Sequence, residues 1–317
     1  MEFQPMRERP EVRSERRSTP RTITPLSVPA VQVDGVVRFP LKQEALRALV
    51  RSSLDEDGAF NDLTTIATVV SDRRARATLV ARDAGVIAGV PLALESFRVL
   101  DPKVSIRVDA EDGMRVDAGT PLFFLSGHAR ALLAGERVAL NFMQRLSGIA
   151  SLTARYVDAV KGTRAQILDT RKTTPGWRQL EKYAVRAGGG KNHRMDLATG
   201  VLIKDNHLAA VDGDVALAVR RAREISPPGT QVEVECDRLE QVEAALGAGA
   251  DIIMLDNMST ETMAQAVRLA SGRAILEASG GVNLSTVRGI AETGVDWISV
   301  GALTHSAPSM DLALDFE

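Results

Sequence analysis

The chain has 317 residues, 25% of them charged and 44% hydrophobic, with a formal net charge of −2. That length suits a large core and two domains, and the balanced charge gives no global pull toward nucleic acid or membrane. No uncharged apolar run is long enough to span a bilayer, and the single Cys236 excludes an intrachain disulfide and fits a reducing, cytoplasmic setting.

Residues 1–40 read as a disordered tail. The first thirty are rich in Arg, Pro, Ser and Glu and too poor in large apolar groups to offset chain entropy. They contain no apolar segment of the kind a secretory signal needs. Glu2, Glu8, Glu11 and Glu15 weigh against a transit peptide, and Phe3 alone is available to stack on a base.

From 41 to 139 the pattern is that of an α+β domain. KQEALRALVRSSLDED has helical spacing, with Leu46, Leu49, Val50 and Leu54 on one side. ATLVARDAGVIAG reads as short strands broken by Gly85 and Gly89. VSIRVDAEDGMRVDAGTPLFFLSG reads as strand, turn, strand, with Asp112-Gly113 and Gly119 as turn markers. The stretch 136–160 is a long helix whose stripe of Leu140, Met143, Leu146, Ile149 and Leu152 predicts core.

Strict alternation follows from 140 to 305. QILDT, VLIKD, QVEVE, DIIML, AILEAS and WISVG are short β-rich runs, and helical runs at 213–225, 238–247, 260–271 and 284–292 separate most of them. Strands alternating with helices give a parallel sheet, either an open doubly wound sheet or one closed into a barrel. In both, function sits at the C-terminal strand ends. Those ends carry Asp169 to Lys172, Lys204 to His207, Glu233 and Glu235, Asp256-Asn257, Glu277 with Ser279-Gly280-Gly281, and Gly301. Cys236, inside VEVECD, is expected to be a buried, inert thiol.

The densest chemistry lies in DTRKTTPGWRQLEKYAVRAGGGKNHR (169–194). The chain has seven lysines, and five of them (Lys161, Lys172, Lys182, Lys191, Lys204) fall between 161 and 204. A local return to lysine beside glycine turns and a histidine reads as a pocket for anions. Arg171, His193, Arg194 and Lys204 form a cationic set suited to a substrate with more than one negative charge. Lys204 has a second reading, a Schiff-base lysine. Ser279-Gly280-Gly281 and Gly301 are positioned to offer backbone N–H groups to a phosphate, or are plain turns. Glu235 and Asp256, ending neighbouring strands, suit Mg²⁺ through water, or are ordinary salt-bridged acids.

These residues resemble the quinolinate phosphoribosyltransferase family. The likeness runs from about residue 55 to 316 and includes Asp62-Leu63-Thr64-Thr65, ERVALNFMQRLSGIA, DTRKTTPGWRQLEKYAVRAGGGKNHR, LIKDNH, VEVECD, MLDN, LEASGGV and VGALTHS. The resemblance implies an N-terminal α/β sandwich, joined by about 306–317, on an incomplete parallel α/β barrel of six or seven strands. It implies a homodimer in which Arg137 is donated across the interface. By family role, quinolinate is held by the partner's Arg137 with Arg171, His193, Arg194 and Lys204. Phosphoribosyl pyrophosphate is held by Lys172, Glu235, Asp256 and the backbone near Ser279, Gly280, Gly281 and Gly301, with Mg²⁺ as cofactor. The implied reaction gives nicotinate mononucleotide, pyrophosphate and CO₂ in NAD biosynthesis. A nicotinate-type relative without decarboxylation, a barrel aldolase using Lys204, and a silent binder of sugar phosphates are the competing readings.

Overall fold

The first half of the chain mixes half-buried strands with helices, and it folds as a sheet with a helical cover. The structure is a computed structural model that describes residues 37–317. The tail expected over 1–36 lies outside the described residues. Residues 37–40 do not behave as tail: the Phe39 ring meets Tyr183 edge-on, with centroids 5.1 Å apart.

In chain order the first half contains α1 (Gln43–Glu56), α2 (Leu63–Thr68), β1 (Arg74–Ala81), β2 (Gly85–Val86), α3 (Val90–Leu100), β3 (Ser105–Val108), β4 (Arg115–Val116), β5 (Pro121–His128) and α4 (Ala129–Ala159). The second half contains β6 (Gln166–Leu168), α5 (Arg178–Ala187), β7 (Val201–Ile203), α6 (Asp205–Ala209), α7 (Val215–Ile225), β8 (Val232–Cys236), α8 (Leu239–Ala248), β9 (Ile252–Asp256), α9 (Thr260–Ala270), β10 (Ile275–Ser279), α10 (Val287–Glu292), β11 (Trp297–Ser299), α11 (Ala302–His305) and β12 (Leu312–Phe316).

β12, β1, β5 and β3 form an antiparallel sheet in that order, so the end of the chain returns to the first domain. Its core joins Leu79, Phe123 and Leu125 of the sheet to Phe97 of α3 and to Leu132, Leu140 and Met143 of α4. The sequence pattern does not single out α3. Val90, Leu92, Ala93, Ser96 and Phe97 are all buried, so the helix shows little of the polar–apolar period that marks a surface helix.

α4 is 31 residues long and starts at Ala129, not at 136. The expected domain boundary at 139/140 therefore falls inside a continuous helix. Its expected core stripe is shared between two cores. Leu140 and Met143 pack in the first domain, and Leu146 and Ile149 pack with the barrel helices. A helix buried by both domains joins them rigidly, where a linker would let them move.

The six parallel strands run in the order β6-β11-β10-β9-β8-β7. No ladder joins β6 to β7. Residue 191 instead makes an isolated parallel bridge to Leu168, a rudimentary seventh strand on the free edge of β6. His193, just beyond that bridge, reaches Glu233 on β8 at 3.2 Å. On a flat sheet β8 would lie several strands away at about 4.8 Å per strand. The sheet is therefore curled into an incomplete barrel, which settles the open-sheet alternative. Asp214 and Ser259 cap α7 and α9 by accepting from the backbone N–H of Leu217 and Thr262. No helix among the described residues is long and apolar enough to cross a membrane.

Candidate active site

The C-terminal ends of the barrel strands carry the site, and the loop after β6 contributes most of it. Arg171 and Lys172 follow β6 directly. The loop holding them is tied down by Glu181 of α5, a carboxylate with no solvent exposure. Glu181 accepts from the Thr174 backbone N–H at 3.0 Å, from the Thr174 hydroxyl at 2.9 Å and from Arg145 of α4 at 2.8 Å. Thr304 of α11 donates to the Lys172 carbonyl at 2.7 Å. The Lys172 stem passes close over Gly301, where an added Cβ would sit 3.2 Å from Lys172 Cδ and 3.1 Å from His305 Nε2. The fold thus gathers Lys172, Gly301 and His305 in one place. Only packing joins His305 to Lys172.

The three glycines 188–190 do not serve as an anion loop. A Cβ on Gly188 would overlap the Ala150 carbonyl oxygen, and one on Gly190 would come within 2.8 Å of Thr153 and Val185 side chains. The run lets the chain pass tightly against α4 and delivers Asn192, His193 and Arg194 to the barrel. Asn192 and the His193 backbone then bond to Asp169, which also pairs with Lys182. Burial pushes the Asp169 carboxyl up and the Lys182 ammonium down, each toward its neutral form. The attraction between them and the donors on Asp169 oppose that.

His193 sends Nε2 toward Glu233 at 3.2 Å and Glu277 at 3.4 Å, inside the barrel. Its Nδ1 accepts from the Arg194 backbone N–H at 2.8 Å. Burial disfavours the imidazolium, but the two carboxylates outweigh it and raise the pKa to about 10. An imidazolium gives up the Arg194 contact at Nδ1 and keeps the Nε2 proton directed at the two carboxylates. Burial and the facing Glu277 push the Glu233 carboxyl up. The sequence offered Glu277 only as one more strand-end acid; its role follows from curvature.

Arg171 and Arg194 are half-buried and Lys172 is exposed. Among the described residues none of the three forms a salt bridge. Burial and the nearby Arg171 both weigh against the charge on Arg194, and Arg171 Nε has no hydrogen-bond partner. This cation set is one that a bound anion would stabilise. Lys204 differs: its Nζ lies 2.7 Å from Glu235 Oε2, joining the ends of β7 and β8. The ion pair engages the amine, which counts against the Schiff-base reading. His207 is occupied locally, Nδ1 accepting from the Lys204 backbone N–H at 2.9 Å.

Asp256 sits opposite Ser279 in the β9–β10 ladder and accepts from Asn257 Nδ2 at 2.7 Å. Asn257 has φ 53° and donates its backbone N–H to the Ser279 carbonyl at 3.0 Å. Gly280, at φ 90°, is required there because a Cβ would overlap the Asn257 carboxamide. Glu235 and Asp256 offer hard oxygen donors of the type Mg²⁺ takes, on neighbouring strand ends. Arg137 is exposed two turns inside α4, not at a helix start, and has no salt bridge among the described residues.

Comparison with known proteins matches both halves of the chain to one family. Residues 62–147 match the family model of the quinolinate phosphoribosyl transferase N-terminal domain, and 149–315 that of the C-terminal domain. The nicotinate-nucleotide pyrophosphorylase [carboxylating] of Mycobacterium leprae is 46% identical over 280 residues, covering 86% of this chain and 97% of its own. A probable nicotinate-nucleotide pyrophosphorylase [carboxylating] of Bacillus subtilis is 42% identical, covering 85% and 93%. The solved structure of the nicotinate-nucleotide pyrophosphorylase from Francisella tularensis superposes with a TM-score of 0.82 at 39% identity, covering 88% of this chain and 98% of that one. With both domain models matched in order, and relatives sharing 42–46% of their residues over nearly their whole length, the chain belongs to the quinolinate phosphoribosyltransferase family.

Proposed function

We propose that this protein transfers the phosphoribosyl group of phosphoribosyl pyrophosphate to quinolinate and releases CO₂, forming nicotinate mononucleotide and pyrophosphate in NAD biosynthesis. The observation that carries the reading is a barrel rim whose strand ends carry Arg171, Lys172 and Arg194, without salt bridges among the described residues, as well as Glu235, Asp256 and the glycine turn after β10. A dianionic acid suits the first group, and a ribose phosphate the second.

In this reading Arg171, His193, Arg194 and Lys204 bind and orient the two carboxylates of quinolinate. Arg137 from a partner subunit of a homodimer completes that lining. Lys172 sits beside Gly301 to neutralise the leaving pyrophosphate, and Ser279, Gly280 and Gly281 offer backbone donors to a phosphate. Glu235 and Asp256 face the ribose and favour positive character there. They would also hold Mg²⁺ through water, which supplies charge neutralisation to the pyrophosphate when bound. The pyridine nitrogen attacks the sugar carbon as pyrophosphate leaves. The quaternised nitrogen then stabilises the electron pair left on the ring when the adjacent carboxylate departs as CO₂, and a proton from water takes up that pair to give nicotinate mononucleotide. Positioning contributes much of the rate, since effective molarity is worth on the order of 7–11 kcal/mol.

A cytoplasmic setting, and action without membrane or nucleic acid, are part of this proposal and rest on the single cysteine and the balanced charge of the chain. The test is release of labelled CO₂ from quinolinate, dependent on phosphoribosyl pyrophosphate and Mg²⁺. Nicotinate has one carboxylate fewer, and each lost charge-assisted contact costs roughly 1.5–3 kcal/mol. Equal kcat/KM for the two acids would refute the assignment of the cation set.

A further inference from the structure

Two charges lie wholly inside the protein beside the site. Lys182 of α5 and Asp169 after β6 are paired, and both side chains have 0% exposure. Removing two ions from water is expensive, and apolar residues of the same volume often serve a core as well or better. Stability is therefore a weak reason for this pair to be here. Its contacts suggest another.

Asp169 Oδ1 accepts from the His193 backbone N–H at 2.9 Å, and Lys182 Nζ donates to the His193 carbonyl at 3.0 Å. The pair thus grips both polar groups of one residue's main chain. Asn192 Nδ2 closes the arrangement, donating to Asp169 Oδ2 at 2.6 Å and to the Lys182 carbonyl at 2.8 Å. No strand ladder does this work. The segment after Gly190 is tied to the sheet by the single bridge between Leu168 and Lys191.

We infer that the Asp169–Lys182 pair is a positioning element: it fixes the main chain at His193 so that the His193 ring and the Arg194 side chain enter the acid-binding pocket from a rigid base. The inference rests on the proposed function and assigns two residues to it. The pair acts on the quinolinate side. Glu235, Asp256, Ser279 and Gly301, on the sugar-phosphate side, sit on β8 to α11 and make none of these contacts.

Two charge-balanced double variants test it. Asp169→Leu with Lys182→Met removes the charges and the hydrogen bonds together. Asp169→Asn with Lys182→Gln removes the charges and keeps groups able to accept from the His193 N–H and donate to its carbonyl. The first should raise KM for quinolinate about tenfold or more, the equivalent of one lost charge-assisted contact, with KM for phosphoribosyl pyrophosphate within about twofold. The second should retain quinolinate KM within about threefold of the wild type.

An unchanged quinolinate KM in the Leu/Met variant overturns the inference. So does an equal rise in both KM values, or an Asn/Gln variant as impaired as the Leu/Met one. Should Leu/Met fail to fold, Asn192→Ala probes the same network from a half-buried position. It should raise quinolinate KM alone by about three- to tenfold, and no rise overturns the inference. Wild-type protein is assayed alongside. If the wild type releases no CO₂ from quinolinate, the function reading has failed and this inference falls with it. If the wild type is active and the variants keep its quinolinate KM, only the positioning role is lost.

Discussion

Replacing Gly280 and Gly281 by alanine, one at a time, separates backbone strain from packing at the end of β10. Both glycines have positive φ, 90° and 60°. A side chain in such a conformation costs of order 1–3 kcal/mol. Alanine also narrows the unfolded ensemble, returning about 0.4–1 kcal/mol at either position. The surroundings differ. At Gly281 nothing lies within 4 Å of an added Cβ, whereas at Gly280 the Cβ would stand 2.5 Å from Asn257 Cγ and 2.9 Å from the Asn257 backbone nitrogen. Asn257 has no easy way to give. Its own φ is 53°, and its N–H is bonded to the Ser279 carbonyl. Overpacking of this kind costs about 1–3 kcal/mol, and the terms common to both sites cancel in the comparison. Gly280→Ala should therefore be less stable than Gly281→Ala by about 1–3 kcal/mol. Urea unfolding followed by the fluorescence of Trp177 and Trp297 measures this as a lower midpoint at unchanged slope. Equal midpoints and slopes for the two variants would refute the claim that Gly280 is there to admit Asn257. The distortion lies beside Asp256, so the same variant should use phosphoribosyl pyrophosphate poorly while its quinolinate affinity, measured by calorimetry, is nearly unchanged.

Asp256→Asn should weaken use of phosphoribosyl pyrophosphate and spare quinolinate binding; loss of quinolinate binding alone, again by calorimetry, would contradict its place on the sugar side. In the proposed homodimer, Arg137→Ala and Lys172→Ala proteins should each be nearly inactive, yet re-equilibrated mixtures should recover up to about a quarter of wild-type activity, since random pairing would make half the dimers mixed, each with one intact site of two. Proven subunit exchange with no recovery would show that Arg137 is not donated across an interface. Cys236 has no exposure, and burial pushes its thiol up to about 12, so it should resist a thiol reagent at pH 8 until the protein unfolds. The unfolded thiol ionises near its ordinary 9.0, so this group's stabilising effect holds below that value and is lost as pH rises toward 12. Rapid labelling of native protein at pH 8 would count against a buried strand position.

Much of the barrel is legible in the chain because its signals are local. Each of the six strands is a short β-rich run, and Asp214 and Ser259 cap the helices that follow two of them. A parallel strand buried on both faces must be apolar and must end where the chain becomes polar, so the rim residues could be named from order alone. The first two turns of α4 are not legible as part of the helix at 136–160 because Arg130 is the one polar side chain between Ala129 and Gly135, too little contrast to mark a period. α5 is not legible for a related reason: its Glu181 and Lys182 are charged yet fully buried, so its pattern mimics a solvated loop.

Which rim residues meet was a matter for tertiary structure. Composition and spacing mark His193, Glu233 and Glu277 as polar, but only curling of the sheet brings them within 3.4 Å across the barrel. The same holds for Lys204 with Glu235, for Lys172 with Gly301, and for the glycine run that proved to be a passage against α4. Residue type and period are written in a window of a few residues and report local conformation and burial. Contacts between residues tens of positions apart depend on how strands are ordered and how far the sheet bends. No local window of sequence contains that, because long-range closure is set by the sum of packing over the whole core.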